Sequence, residues 1–595
     1  MDKQTTLGFI LIGVVLIAWM WLQAPPPPQA PTRDTVAVET LPPPPPVEQS
    51  QPEPGPAELP EEVLSPGKFF DGRTVGDEKV ITVTTDRYIA EISTRGGLVR
   101  KWELRDYKTW NKYPVQLVDF ERGGDLSLLF TSSDGKLVNT RYLYFDAPYR
   151  AWSKVSLEGE QRHTIEFTLP VDGHRRLVKR MTFVNGTFDL TVEWRFEKMR
   201  EVISNFEYQI LWEHGIPYAE RNSVDESSYT YAYAYSGGEL TEVDASSVGE
   251  RVERDIGGST AWVALRNKYF GVALLPVDAE AQGAYIEGNA SALPDKGVRE
   301  DYSVALKMPY RGADREGSSV TVFMGPLDYD VVKEHGKGLE QMISLGAAWV
   351  IRPIAEYIMI PLFSLLRMLI PNYGVVIIVF AFIIKVALHP LSKSSMKSMK
   401  RMQALTPLMN EIREKHKDNP EKMNQQIMNL YKEYGVNPAA GCLPLLLQMP
   451  ILFALWSVLR SSIELRQANF IWWINDLSIP DTVLTLPFTI PLLGMNEVSG
   501  LALAMGATMF IQQKMTVTDP RQKAMVWMMP VMLTLLFNSL PSGLNLYYFV
   551  FNLLSIVQQV FINKHHSDEP LRKVDPKKRS GGIMGKLTKD LPKLR

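Results

Sequence analysis

One cysteine, Cys442, occurs in 595 residues, so no intramolecular disulfide can form and any exported part must be held by a buried core. No GxxxxGK[ST] loop is present, which leaves no phosphate-binding motif to couple nucleotide hydrolysis to work. The histidines of the first half (His163, His174, His214, His335) are scattered and lack metal-ligand spacing, so they read as surface or structurally satisfied side chains. The net charge of −2 argues against a nucleic-acid binder and against an acidic scaffold. No metal, no cofactor and no enzymatic chemistry is expected.

The chain changes character several times. Residues 1–23 hold an apolar run, LGFILIGVVLIAWMWL, with only Asp2 and Lys3 charged ahead of it. No small-residue cleavage site stands clear of a proline, so a retained transmembrane anchor is expected. Residues 24–66 are proline-rich and acidic, with Arg33 the only basic residue, and read as an extended linker. Residues 67–337 carry many short runs of period two, such as VITVTTDRYIAEIS and KRMTFVNGTFDLTVEWRF. The second holds Asn185-Gly186, a dipeptide that supplies the positive φ angles of a tight hairpin turn. An all-β sandwich is expected there.

Beyond residue 338 the sequence is apolar and helical. Residues 338–371 are broken by Arg352, Pro353, Glu356 and Arg367, which suits an amphipathic helix lying in the membrane interface. A five-span helical core is expected over 372–563, with spans near 373–389, 442–459, 500–513, 525–540 and 544–562. Loop 390–438 has nine Lys/Arg against five Asp/Glu, segment 514–523 three against one, and the basic tail 564–595 ten against four. Loop 461–491 has one arginine and three acids. The positive-inside rule then puts both termini in the cytoplasm and the β domain on the exported side of the membrane.

Within loop 390–438 lies a helical hairpin, residues 391–437. Met399, Met402, Leu405, Met409, Met423 and Ile427 recur at helical intervals, and Asn419-Pro420 marks the start of the second helix. These apolar side chains either zip the hairpin or meet a hydrophobic client segment.

The stretch VVIIVFAFIIKVALHP sets Lys385 inside a span, where an ammonium costs about 2.5–3.5 kcal/mol on insertion scales. It lies four residues before His389, roughly 6 Å inside the cytoplasmic end, within reach of snorkelling to the headgroups. Other spans carry polar groups as well. Gln448 lies on the second core span, Gln512 and Gln513 close the third, and Asn545, Tyr548, Asn552, Ser555 and Gln559 share one face of the last. No acid lies within the spans that bear this stripe. Most of these groups fall in the cytoplasmic half of the spans, where a hydrated pocket open to the cytoplasm explains several helices at once, and a cation with no internal carboxylate invites a passing acidic or polar group.

The segments NPAAGCLPLLLQMPILFALW, ELRQANFIWWINDLS, TVTDPRQKAM and NSLPSGLNLYYFVFNLLSIVQQ resemble the YidC/Oxa/Alb family of membrane-protein insertases, in its Gram-negative form. The resemblance extends over essentially the whole chain. It implies a periplasmic supersandwich of galactose-mutarotase type beside the five-span core, and insertion and chaperoning of inner-membrane proteins, alone or with the Sec translocon. It puts Lys385 at the place of the groove's basic residue, commonly arginine, and Tyr547 and Tyr548 at an aromatic pair that contacts passing segments. Ala381 stands where relatives often have threonine. With Gln448, Asn552, Ser555 and Gln559 these form the expected groove. Nascent membrane proteins, the Sec translocon with its accessory subunits, lipids, and the ribosome through the basic tail are the implied partners. The alternative from another class is a membrane-tethered periplasmic protein that binds or modifies carbohydrate, which leaves the polar face of the last span unexplained.

Overall fold

The computed structural model describes residues 66–565 and residue 573, apart from 279, 294–296, 348, 437–442, 489–495 and 517–522. The expected anchor 1–23, nearly all of the linker, Cys442 and the basic tail lie outside the described residues. The chain divides between Ile343 and Ser344 into two compact units.

The first unit is all-β. Its described strands form a five-stranded and a thirteen-stranded sheet. Alternation in sequence becomes alternation in burial: along Asp189–Glu197 the buried side chains are Leu190, Val192, Trp194 and Phe196. VITVTTDRYIAEIS is two strands, Val80–Thr84 and Tyr88–Ser93, paired antiparallel. The Thr85 hydroxyl turns the chain between them by accepting from the Arg87 and Tyr88 amides at 3.2 and 3.0 Å. The smaller sheet is tied to the larger by the Trp102 indole, which donates to the Met324 carbonyl at 3.0 Å. The long strand Arg251–Arg266 changes partners along its length and shifts register between Gly257 and Thr260. Gly258, at φ +102°, permits that bulge.

The Asn185-Gly186 turn departs from expectation. Only Gly186 has a positive φ, +83°, and four residues separate the paired strands Arg176–Val184 and Asp189–Glu197. Asn185 is held instead by tertiary bonds: its amide group donates to Asp86 Oδ2 at 2.5 Å and to the Gly159 carbonyl at 3.0 Å. The histidines are placed by protein partners, His163 by Tyr149, His214 by Asp125 and His335 by Asp189. Among the described residues no group of side chains is arranged to hold a metal ion.

The second unit is helical. Turns Ile351–Ile354 and Ala355–Met359, the latter π-helical, lead into α1 (Ile360–Leu369). The segment expected to begin at residue 338 starts inside the β unit, where Leu339 and Met342 are buried and the Met342 carbonyl accepts from Arg266. Its charges are neutralised in pairs, Arg352 with Glu356 at 2.6 Å and Arg367 with Glu464. Its outer face is apolar, with Tyr357, Ile358, Leu365, Met368 and Leu369 exposed, as suits contact with lipid.

The remaining helices are α2 (Tyr373–Ala387), α3 (His389–Ala404), α4 (Thr406–Lys415), α5 (Pro420–Glu433), α6 (Leu443–Ser461), α7 (Gly500–Thr516), α8 (Lys523–Phe537) and α9 (Ser542–His565). Asn372 caps α2 by accepting from the Val375 amide at 3.1 Å. By length and composition Ser542–Lys564 can cross a bilayer by itself; α2 passes the same test only with α3, from which it bends by 63°. α2 packs on α1 and α9, and α7 on α8 and α9.

The hairpin is built from three helices where two were expected. Its first leg breaks at Leu405 because Pro407 lacks an amide donor and restricts Thr406 before it. Asn419 caps α5 through the Lys422 amide at 3.0 Å, with Pro420 in the first turn.

Candidate functional site

Helices α2 and α9 enclose Lys385, which is only 8% exposed. Its ammonium donates to the Ser555 hydroxyl at 2.6 Å and lies 4.6 Å from the centre of the Phe551 ring. Among the described residues no carboxylate pairs with it. The Ser555 hydroxyl in turn donates a hydrogen bond to the Phe551 carbonyl at 2.8 Å. The side chain therefore turns across to a neighbouring helix and does not run out to the headgroups as snorkelling requires.

One turn away, the polar stripe of α9 is buried but incompletely bonded. Tyr548 and Asn552 face the interior, and neither the Tyr548 hydroxyl nor Asn552 Nδ2 has a hydrogen-bond partner among the described residues. A buried polar group left in that state costs about 1–3 kcal/mol. Gln559, farther along, donates to Asn563 Oδ1 at 3.2 Å. Near the bend between α2 and α3 the Gln558 amide meets His389 at 3.1 Å, and Lys400 donates to the Asn563 carbonyl at 3.2 Å.

Tyr547 and Tyr548 belong to an aromatic ladder. Phe363 of α1 stacks on Phe380 of α2 at 4.4 Å, Phe380 meets Tyr547 at 6.2 Å, and Tyr548 meets Phe537 of α8 edge-on at 4.9 Å. The two tyrosines lie edge to face at 5.4 Å. The ladder fixes four helices around the cation and leaves the Tyr548 hydroxyl as its polar tip.

The structure brings Lys385, Ser555, Asn552, Tyr547 and Tyr548 together. It does not join Gln448 to them: that side chain is half-buried on α6 and bonds none of the others. Asn545, read as part of the same stripe, lies apart from them. It lies ten residues, roughly 15 Å, before Ser555 on α9, and its amide donates to the Phe537 carbonyl at 3.1 Å. Ala381 is buried and offers no hydroxyl. Phe551, Phe380, Phe363 and Phe537 were missed by sequence reasoning. Phe551 carried a signal, since it falls three residues after Tyr548 and four before Ser555 on the same face.

In the hairpin, Leu405 and Met409 join Leu430 and Val436 in a small core, with Met402 and Ile427 packed against it. Met423 is buried and Met399 half-buried. Met428, outside the expected set, is the exposed methionine of α5.

A helical bundle with a buried cation and a polar stripe, following an all-β unit, is the arrangement of a multi-pass membrane protein with an exported domain. A family model described as 60Kd inner membrane protein matches residues 365–569, and one described as YidC periplasmic domain matches residues 80–358. The chain is 40% identical over 581 residues to Membrane protein insertase YidC of Chloroherpeton thalassium, covering 96% of this chain and 97% of that one. Among solved structures it is similar to an active YidC insertase with its first transmembrane domain resolved, at 20% identity, 82% and 93% coverage and TM-score 0.35. It is also similar to a galactose mutarotase-like protein from Lactobacillus casei, at 12% identity, 41% and 99% coverage and TM-score 0.26. The chain belongs to the YidC family of membrane protein insertases. It is a non-enzymatic inner-membrane protein with a periplasmic β domain, and its substrates are membrane proteins.

Proposed function

We propose that a client segment passes its polar flank along the face of α9 beside Lys385 while its apolar stretch partitions into lipid. The observation that carries this is the bonding deficit: a buried ammonium held by one neutral hydroxyl, next to an unpartnered Tyr548 hydroxyl and Asn552 amide. Groups left so are stabilised by what arrives from outside the fold, whether water or a client's own amides and carboxylates. Tyr547, Ser555 and Gln559 line the same face, and Gln448 extends it from α6 in a wider client-loaded groove. The hairpin meets the client first, as a unit packed by Met399, Met402, Leu405, Met409, Met423 and Ile427.

The domain bounds in this scheme are an exported domain over 67–343, an interfacial segment over 344–371 and an inserting core over 372–563. Six spans, counting residues 7–22, put both termini and the hairpin in the cytoplasm. Nascent chains reach the groove from that side, alone or from the Sec translocon, with the basic tail drawing in the ribosome and the outer faces of the helices held by lipid. Partitioning of the client and the membrane potential supply the energy.

Photocrosslinking tests the path. A benzophenone amino acid at Asn552 should capture a stalled client, whereas one at Leu553, which is exposed on another face of α9, should capture mostly lipid. Equal client capture from both positions would remove the groove from the mechanism.

A further inference from the structure

The loop between α6 and α7 presents an apolar surface that the groove does not use. It contains a two-stranded antiparallel hairpin, Thr482–Thr485 with Glu497–Ser499, and before it the sequence FIWWIND. Asp481 ties the loop to the helix ends. Its carboxylate, 4% exposed, accepts from the Trp473 indole at 3.0 Å, the Ser499 hydroxyl at 2.5 Å and the Leu501 amide of α7 at 2.8 Å. Asn538, just past α8, accepts from the Ser499 amide at 2.8 Å, and Ser542 of α9 donates to the Asp476 carbonyl at 2.8 Å. The loop therefore sits level with the ends of α7, α8 and α9.

What it shows at that level is apolar. Trp472 is 79% exposed, Phe488 60% and Leu484 55%, with Ile471, Trp473 and Ile479 also exposed. Trp472 stacks on Trp473 at 5.7 Å and holds φ at +55°, a conformation unfavourable for a residue with a Cβ. Strained backbone is thus spent on exposing an indole, which in water gains nothing. The described residues of the hairpin carry no basic side chain, only Glu497 opposite Thr485, which removes attraction to anionic lipid as the basis of any contact. An isolated two-stranded hairpin is also marginal in water and needs a surface to lie on.

We propose that Trp472, Trp473, Leu484 and Phe488 form an interfacial patch seated in the headgroup–acyl boundary of the bilayer, with phospholipid as its partner. Three observations favour lipid: continuity with the membrane helices, indoles whose amphipathic rings suit that boundary, and the absence of basic charge on the described hairpin. The unpaired strand edges set the depth, because open backbone is not carried into hydrocarbon. The patch fixes the α7–α9 ends against the membrane surface while the groove beside Lys385 changes occupant. It rests on the helices being spans, and not on the groove.

Site-directed spin labelling of the full chain tests it. In a Cys442→Ser background, a nitroxide at Leu484→Cys is compared with one at Val75→Cys, a fully exposed site of the β unit. In vesicles of phosphatidylethanolamine and phosphatidylglycerol, collisions with a water-soluble nickel chelate should be several-fold fewer at position 484, and collisions with oxygen more frequent. Phosphatidylcholine vesicles should give the same depth, since no basic side chain of the described hairpin draws it to anionic lipid. Nickel accessibility equal to that at position 75 would overturn the proposal. Low accessibility to both reagents would overturn it too, because a second copy or a client would then cover the patch. A label at Phe488→Cys repeats the measurement should Leu484→Cys fail to fold. The depth is read without reference to sidedness, so it stands or falls apart from the client path.

Discussion

In the β unit Lys179 is fully enclosed and donates to the carbonyls of Gly97 and Leu126 at 2.7 and 2.6 Å, and the buried Lys268 meets Asp225 at 2.8 Å. In the membrane core Lys385 is about as deeply buried, yet it meets one serine hydroxyl and a ring face. Arg141 carries the contrast furthest. Its guanidinium meets Glu213 at 2.5 Å and Asp125 at 3.4 Å, and donates to the carbonyls of Arg122 and Gly124. Every face of that cation is answered from within the domain. Burial of charge is thus a structural device in one unit, complete when the chain has folded, and an incomplete one in the other.

Breaking a complete network should have the largest effect. Arg141→Met leaves the Asp125 and Glu213 carboxylates without their cation, and removing one member of a buried pair costs about 3–5 kcal/mol. Denaturant unfolding followed by tryptophan fluorescence should register that loss, while client insertion at low temperature stays near wild type. A change below about 1 kcal/mol would mean that water, not Arg141, neutralises these acids.

The reverse pattern is expected at Lys385. Hydrogen bonds to a charged group contribute about 1.5–3 kcal/mol, so Lys385→Ala should slow insertion of a client with an acidic translocated flank roughly tenfold or more. Lys385→Arg should retain function, and Lys385→Glu should be worst. A client with a neutral flank should be affected less. If wild type and Lys385→Ala insert both clients equally, the cation is structural like its counterparts in the β unit.

A smaller effect separates a buried acid from a buried base of the β unit by pH. Burial raises Glu300 to about 7, although Tyr302 and Ser227 donate to it at 2.6 and 2.7 Å. The folded carboxyl keeps its proton at pH values where the unfolded one has lost it, so the unfolded state binds fewer protons. Stability should therefore fall as pH rises from about 4.5 to 7, by on the order of 1–3 kcal/mol from this group. Lys179 works in the opposite sense. Burial lowers it to about 7, so its contribution to stability rises between about pH 7 and 10.5. Glu300→Gln should flatten the acidic limb of a melting-temperature profile and leave the alkaline limb intact. An unchanged acidic limb would assign it to other carboxyls.

What was legible in the sequence was periodic or local. The alternation of DLTVEWRFE, the Asn419-Pro420 start of α5 and the 3–4 spacing of Tyr548, Asn552 and Ser555 each needed only neighbours in the chain. What was hidden depends on residues far apart. Lys385 is answered by Ser555, 170 positions away, and nothing near Lys385 announces a hydroxyl as its partner. Asn185 resembled a turn former because Asp86 and Gly159, its actual partners, are distant in sequence. The stripe of α9 was correctly placed on one face but read as one site. Its first member, Asn545, was claimed by the end of α8, because helical spacing reports direction and not depth.

The hairpin offers the finest division between packing and contact. Met409 is buried in its core and Met428 is 42% exposed, on α4 and α5 respectively. If the methionines only zip the helices, Met409→Ser should loosen the hairpin and Met428→Ser should do nothing measurable. If the hairpin also holds passing apolar segments, Met428→Ser should weaken client crosslinking while the helices stay protected from amide hydrogen exchange. Met409→Leu serves as the control, since a swap that conserves volume costs less than about 1.5 kcal/mol. Surface substitutions typically fall within about 0.5 kcal/mol, so any effect of Met428→Ser on exchange should be lost in that range. A drop in crosslinking with unchanged exchange would separate contact from packing. Full crosslinking by both Met428→Ser and a Met428→Lys variant would leave the methionines of the hairpin with packing alone.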